Sequence, residues 1–317
     1  MSNSFKISPS WATEESEGDI FGIQYSNDNS FIGCALSNGQ VSLYSGSTGR
    51  LSYTLEQSPD HFPVTSLKFH PSSKSFVSVS VDGSVKCWST RKASVEWEFI
   101  EDKNQLFVVS INPNGESFVT AGLDTKIRLY DFESHKISRA LERYQIFDSE
   151  AVPGHTNRIF SAIFNPKDSN ILYSGGWDDT IQIWDLRVNR SVRSLFGAHI
   201  CSDSLDIHDN MLAAGSWRTT EQLQLWDLRT FRNETTFKWK DQKQCLVYAT
   251  KFHPNGEFLF AAGSGANEIA TFSVKTGNQV GDSIEFDSPI FSIALSKNGN
   301  ELIAGTEKGK IHSFKIE

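Results

Sequence analysis

An internal repeat limits most sharply what this chain can fold into. The phrase Asp178-Asp179-Thr180-Ile181-Gln182-Ile183-Trp184-Asp185 recurs in weaker forms as Asp82-Gly83-Ser84-Val85-Lys86-Cys87-Trp88 and Asp124-Thr125-Lys126-Ile127-Arg128-Leu129-Tyr130-Asp131. Using the aromatic as a ruler gives the series Tyr44, Trp88, Tyr130, Trp184, Trp226, Phe272 and Phe314, whose members lie 42 to 54 residues apart. Seven units of about 42 residues account for nearly all 317 positions. A repeat of this period cannot bury its apolar face alone, so neighbouring units must stack into one continuous core.

Every unit has the same grammar. An apolar stretch such as Ile159-Phe160-Ser161-Ala162-Ile163-Phe164 is followed by a turn, here Asn165-Pro166-Lys167-Asp168. A small-residue strand from Ile171 to Gly175, an Asp-containing turn, a strand ending in the aromatic and a polar fourth strand complete it. Short runs at even spacing with Gly, Pro, Asn and Asp between them predict an all-β array rather than βαβ units. No stretch keeps a 3.6-residue apolar period for three turns, so helix is expected to be essentially absent.

With these residues in view, the chain resembles the WD40-repeat β-propellers over its whole length. The fourth unit carries their signature in full: Gly154-His155, Ser174, Asp178 and Trp184-Asp185. The resemblance implies a hydrogen-bonded network of His155, Ser174, Asp178 and Trp184. The second unit repeats the offsets with Ser78, Asp82 and Trp88, and His61 is the looser candidate for its histidine. The third has Thr120, Asp124 and Tyr130 with no histidine, and the fifth carries two extra residues around Arg218-Thr219-Thr220-Glu221. The implied fold is a single seven-bladed propeller of four-stranded antiparallel blades spanning residues 1–317. The last unit ends at its third strand, Lys310 to Ile316, so residues 1–12 are expected to supply the missing fourth strand and close the ring.

Composition narrows the function. A chain of this length buries enough surface to need no disulfide or metal staple. Its net charge of −8 argues against a nucleic-acid coat or polybasic membrane anchor. Cys34, Cys87, Cys201 and Cys245 are far apart with no metal-ligand spacing and read as small buried hydrophobes in a reducing compartment. The N-terminus shows no apolar signal region, so a cytoplasmic or nuclear location is expected. No cofactor, metal site or catalytic residue is expected. Gly263-Ser264-Gly265-Ala266-Asn267 lacks the lysine of a phosphate loop. His155, Ser174 and Asp178 suggest a nucleophilic triad, but matching offsets recur in the second unit and the serine lies in a strand rather than on an elbow. Their reading is structural.

The register also selects a surface. The residue after the first core aliphatic of each innermost strand is Phe21, Thr65, Phe107, Phe160, Tyr248 or Phe291, with Asp203 a less certain match in the fifth unit. Strand alternation predicts that these side chains point away from the core that Ile159 and Ile163 enter. In WD40 propellers this position rims the mouth of the central channel on the top face. Trp177 and Trp217 precede the turns of adjacent units and are expected to be neighbours there, with Arg158 and Asp19 on the rim. An aromatic cluster with Arg and acidic neighbours is the composition of an interface hot spot. Beside that stands plain packing, in which the rings only plug the channel. The expected function is a non-enzymatic scaffold binding a peptide or partner subunit on its top face. A reader of arginine-bearing tails is the alternative, and a propeller hydrolase a more distant one. The long connection from Glu142 to Gly154, semi-apolar through Tyr144, Ile146, Phe147 and Val152, is either a lid, a partner contact or a folded-down loop.

Overall fold

Short runs of β-branched and aromatic residues between turn residues cannot form helices, and they pair locally into hairpins. The computed structural model of the chain describes residues 6–145 and 151–317. They form seven four-stranded antiparallel sheets, arranged as the blades of a propeller. Blade 4 is the pattern: Ile159–Phe164, Ile171–Gly176, Thr180–Asp185 and Arg190–Phe196 pair in chain order from the channel outward. Among the described residues, helix is confined to two short turns at Lys240–Gln242 and Glu307–Gly309.

The core lies between blades. One cluster packs Val119 and Leu129 of blade 3 against Ile159, Leu172 and Trp184 of blade 4. Another joins Ile20 and Ile32 of blade 1 to Ile303 and Ile311 of blade 7, with Trp11 against it. Each such buried aliphatic contributes about 1.5–3 kcal/mol, and none of it is available to an isolated blade.

Closure follows the expected route. The strand Ile7–Ala12 pairs with Ile311–Ile316 as the outermost strand of blade 7. Residues 1–5 of the expected closing segment lie outside the described residues.

The innermost strands correct the alternation argument. In blades 1, 2, 3, 4, 6 and 7 the ladder register shifts at one point, around Phe21, Thr65, Phe107, Phe160, Tyr248 and Phe291 respectively. In blade 4, Ile159 pairs with Gly176 and Ser161 with Gly175, leaving Phe160 as the extra, unpaired residue of a β-bulge. The bulge resets the period, so Ile159 shares its cluster with Ala162 and Phe164, whereas Ile163 packs with Phe160 against the next blade. Gly176 makes room for the bend, since a Cβ there would stand 2.0 Å from the Arg158 carbonyl oxygen.

The Glu142 to Gly154 connection doubles back on itself. Tyr144 pairs with Val152, and the Gly154 backbone lies against Arg143. Tyr144 is exposed and Val152 buried, while Ile146 and Phe147 lie outside the described residues.

Candidate functional site

The bulges aim five rings and one threonine at the mouth of the channel. Phe21, Thr65, Phe107, Phe160, Tyr248 and Phe291 line a cavity of about 340 Å³. Pro63, Val81, Cys201 and Ser202 complete its wall. All six predicted side chains are half-buried. Phe291 meets Phe21 and Tyr248 edge-on, with centroids 5.7 and 5.5 Å apart, and Phe107 stacks on Phe160 at 4.6 Å. Pro63, Val81, Cys201 and Ser202 were not anticipated, because they come from the turns flanking the strands, where the repeat register is loosest.

The aromatic surface continues outward across blade 4. Trp177 packs on Phe160 at 5.2 Å and on His199 at 5.8 Å, with the Arg158 guanidinium 5.2 Å from its ring centroid. Trp217 is 37% exposed, and its backbone N–H donates to the His199 carbonyl. His199 thus links the two tryptophans expected as neighbours. The extra residues of the fifth unit carry Arg218 to Asp179, 2.6 Å away, and His199 Nδ1 lies 2.7 Å from the same carboxylate. Asp19 stands where blades 1 and 7 meet and accepts the Lys308 N–H at 3.2 Å. Cys34, Cys87 and Cys245 are buried, but Cys201 is only half-buried at the mouth. Burial pushes its thiol pKa up, with the Trp177 indole acting against that.

Asp203 does not join the ring. Ser202 turns through a positive φ of 112°, and the Ser204 N–H bonds back to the Ser202 carbonyl. Blade 5 therefore starts its innermost strand late, at Leu205–His208, and the turn sends Asp203 into the channel. There Lys68 of blade 2 reaches it at 3.1 Å and Lys251 of blade 6 at 3.2 Å. Lys251 also lies 3.9 Å from Asp206. This cluster bridges the waist between the aromatic mouth and a lower cavity of about 550 Å³.

Burial works against the ionised Asp203, but Lys251 and Lys68 outweigh it and hold its pKa well below the usual carboxylate range. Asp206, penalised mainly by burial and only partly relieved by Lys251, is raised. A depressed carboxylate contributes stability above its unfolded value near 4 that is lost as pH falls through the folded value. The raised Asp206 acts with the opposite sign. Asp203→Asn is therefore expected to lower unfolding free energy at about pH 7 and to narrow its difference from about pH 3. Urea denaturation of both forms at the two pH values measures this, and an unchanged difference would remove Asp203 from the acid response.

The signature residues sit inside the blades. In blade 4, His155 Nδ1 is 2.8 Å from Asp178 Oδ2, His155 Nε2 is 2.7 Å from Ser174 Oγ, and Trp184 Nε1 donates to Ser174 Oγ at 2.8 Å. Burial alone would raise the Asp178 pKa, but His155 and the Thr156 and Thr180 donors outweigh it and hold it down. Ser174 is fully buried and offers no oxygen to a substrate.

In blade 2, Trp88 Nε1 donates to Ser78 Oγ at 2.7 Å, and Asp82 accepts the Ser84 N–H. His61 is corrected: it lies exposed, 3.2 Å from the Asn38 carbonyl, and Gln57 accepts from Ser78 in its stead. In blade 3, Glu101 takes that place, accepting from Thr120 and from Tyr130 at 3.0 Å. These substitutes come from a segment that the repeat phrase does not reach. Among the described residues, no group of three His, Cys, Asp or Glu side chains is arranged to hold a metal ion, and no helix is long and apolar enough to cross a membrane.

The family model for the WD domain, G-beta repeat, matches residues 49–89, 100–131 and 148–185. A guanine nucleotide-binding protein subunit beta of Oryza sativa subsp. indica is 27% identical over 263 residues, covering 78% of this chain and 66% of that protein. The chain thus spans just under two thirds of that relative's length. A serine-threonine kinase receptor-associated protein of Dictyostelium discoideum is 25% identical, covering 92% of this chain and 94% of its own length. WD repeat-containing protein 82 of Drosophila melanogaster is 23% identical over 69% of this chain and 80% of that protein.

Proposed function

Because this chain is a seven-bladed β-propeller built of WD40 repeats, we propose that it is a non-enzymatic scaffold whose aromatic channel mouth grips a peptide or partner subunit. Two of the similar proteins carry association in their names, as a subunit and as a receptor-associated protein. The observation that carries the reading is the half-buried aromatic mouth running through Trp177 to the exposed Trp217. Rings fixed by backbone bulges and by one another lose little side-chain entropy when covered, which is the property of a hot spot.

Chemistry at the mouth favours an apolar or aromatic anchor over an inserted arginine. An arginine reader needs acids free to receive the guanidinium. Asp203 already holds two lysines, Asp179 holds Arg218 and His199, and Asp19 accepts a backbone N–H. Arg158 occupies Trp177 as its own cation–π partner.

The test is a paired affinity purification from native lysate. A Phe160→Ala, Phe291→Ala, Trp177→Ala triple variant that melts with the wild type is compared with Phe196→Ala, which removes a ring 72% exposed on the outer strand of blade 4. Partners lost from the triple variant alone are the expected result. Equal recovery with every form would assign the mouth to packing and move the search to the blade edges.

A further inference from the structure

We propose that the sixth blade carries a binding site for a guanidinium group, that of an arginine side chain on a partner protein. The site shares no residue with the aromatic mouth. Most outer strands are five to seven residues long, but the fourth strand of this blade is only Ile284–Glu285. The space left open is a cavity of about 430 Å³, walled by Lys240, Asp241, Lys243, Glu268, Asp282 and Glu285 among others.

Glu268 decides what the cavity is suited to hold. It opens the strand Glu268–Ser273, four residues before the blade aromatic Phe272. The same place holds Ser84 in blade 2 and Thr180 in blade 4, whose hydroxyls are satisfied within the blade by Gln57 and by Asp178. Blade 6 puts a carboxylate there. The residue is fully buried, Oε2 accepts from Lys243 Nζ at 2.7 Å, and Oε1 is buried with no hydrogen-bond donor. Leaving a charged acceptor unpaired away from water is unfavourable, and a donor supplied from outside relieves it.

The surrounding charge selects the sign of that donor. Lys243 is shared, reaching Glu285 at 2.8 Å as well as Glu268. Lys240 bonds the Gly281 carbonyl and lies 3.6 Å from Asp282. Four carboxylates thus face two ammonium groups, which favours a cation. A guanidinium matches better than an ammonium because its planar fork has donors for Glu268 and for an exposed rim carboxylate together, and because it is more weakly hydrated on entering.

The probes are the acetylated, amidated peptides Gly-Arg-Gly and Gly-Lys-Gly, titrated into the full chain to about 10 mM with amide NMR shifts as readout. The arginine peptide should shift residues 240–243 and 282–285 saturably and bind more tightly than the lysine peptide. Glu268→Gln should weaken it about tenfold or more, from loss of a charge-assisted hydrogen bond. Glu285→Gln, at a rim position whose side chain is 73% exposed, should weaken it by a smaller factor. Absence of saturable shifts there, equal binding of the two peptides, or full binding by either variant would overturn the proposal. Shifts confined to Phe160 and Trp177 would also overturn it, and would place the arginine at the mouth instead.

Discussion

Deleting residues 1–12 will lower the melting temperature of this chain by on the order of 10 °C, the largest effect expected of any single change to its termini. Ile7 faces Ile316, Pro9 faces Phe314 and Ala12 faces His312 across the closing ladder. Beyond its ends, Lys6 and Glu317 exchange two backbone hydrogen bonds, and the Thr13 N–H donates to the Ile311 carbonyl at 3.0 Å. Trp11 locks the joint: its indole donates to Glu301 at 3.0 Å in blade 7 while its ring lies against Gly49, in the turn between the third and fourth strands of blade 1. Net hydrogen bonds of about 1 kcal/mol each and the half-buried side chains of Ile7 and Trp11, at about 1 kcal/mol each, set the scale. The deletion also bares Ile311–Ile316 as a sheet edge, so concentration-dependent association should accompany the lower melting point. Scanning calorimetry with light scattering reads both, and an unchanged melting curve would deny the strand its closing role.

Replacing Trp184 by alanine will cost about 3–5 kcal/mol of folding free energy, and replacing it by phenylalanine only about 1–2. The ring is fully buried in the cluster joining blades 3 and 4, so alanine leaves a cavity at an interface between blades. Phenylalanine keeps most of the ring and removes only the N–H that donates to Ser174, whose oxygen still has His155 at 2.7 Å. Urea denaturation of the two variants separates packing from hydrogen bonding. Equal losses would mean that the indole bond, rather than the ring, carries the contribution of Trp184.

The fold was legible because its code is local. Tyr44, Trp88, Tyr130, Trp184, Trp226 and Phe272 each lie in a third strand whose partners are nearby in sequence, and hairpin pairing depends only on that stretch, whereas Phe314 pairs outward with the N-terminal strand. The aromatic mouth was legible for a related reason: a residue recurring at one register position in stacked units must recur at one height around the channel. Its mechanism was not. Alternation pointed to Phe160, which lines the mouth, but placed Ile163 with Ile159, since an unpaired residue in a ladder has no signature in its own sequence.

Other features depend on which side chains the closed ring sets opposite one another. Gln57 and Glu101 stand in for the missing histidines because the fold, not the repeat phrase, brings them to Ser78 and Thr120. Glu268 looks in the sequence like any acidic strand residue, and its burial with one oxygen left without a donor comes only from the packing of the blade. Lys68 and Asp203, 135 residues apart, meet only because seven blades curve through a full circle and one turn at Ser202 redirects a carboxylate into the channel. Hydrophobic period and turn chemistry act over a few residues, so the number of blades, their strand order and the ring of aromatics could be read from the chain before it folds. Tertiary structure alone decided the bulges, the ion bridge across the waist and the cavity of the sixth blade, because each depends on groups that local pairing never brings together.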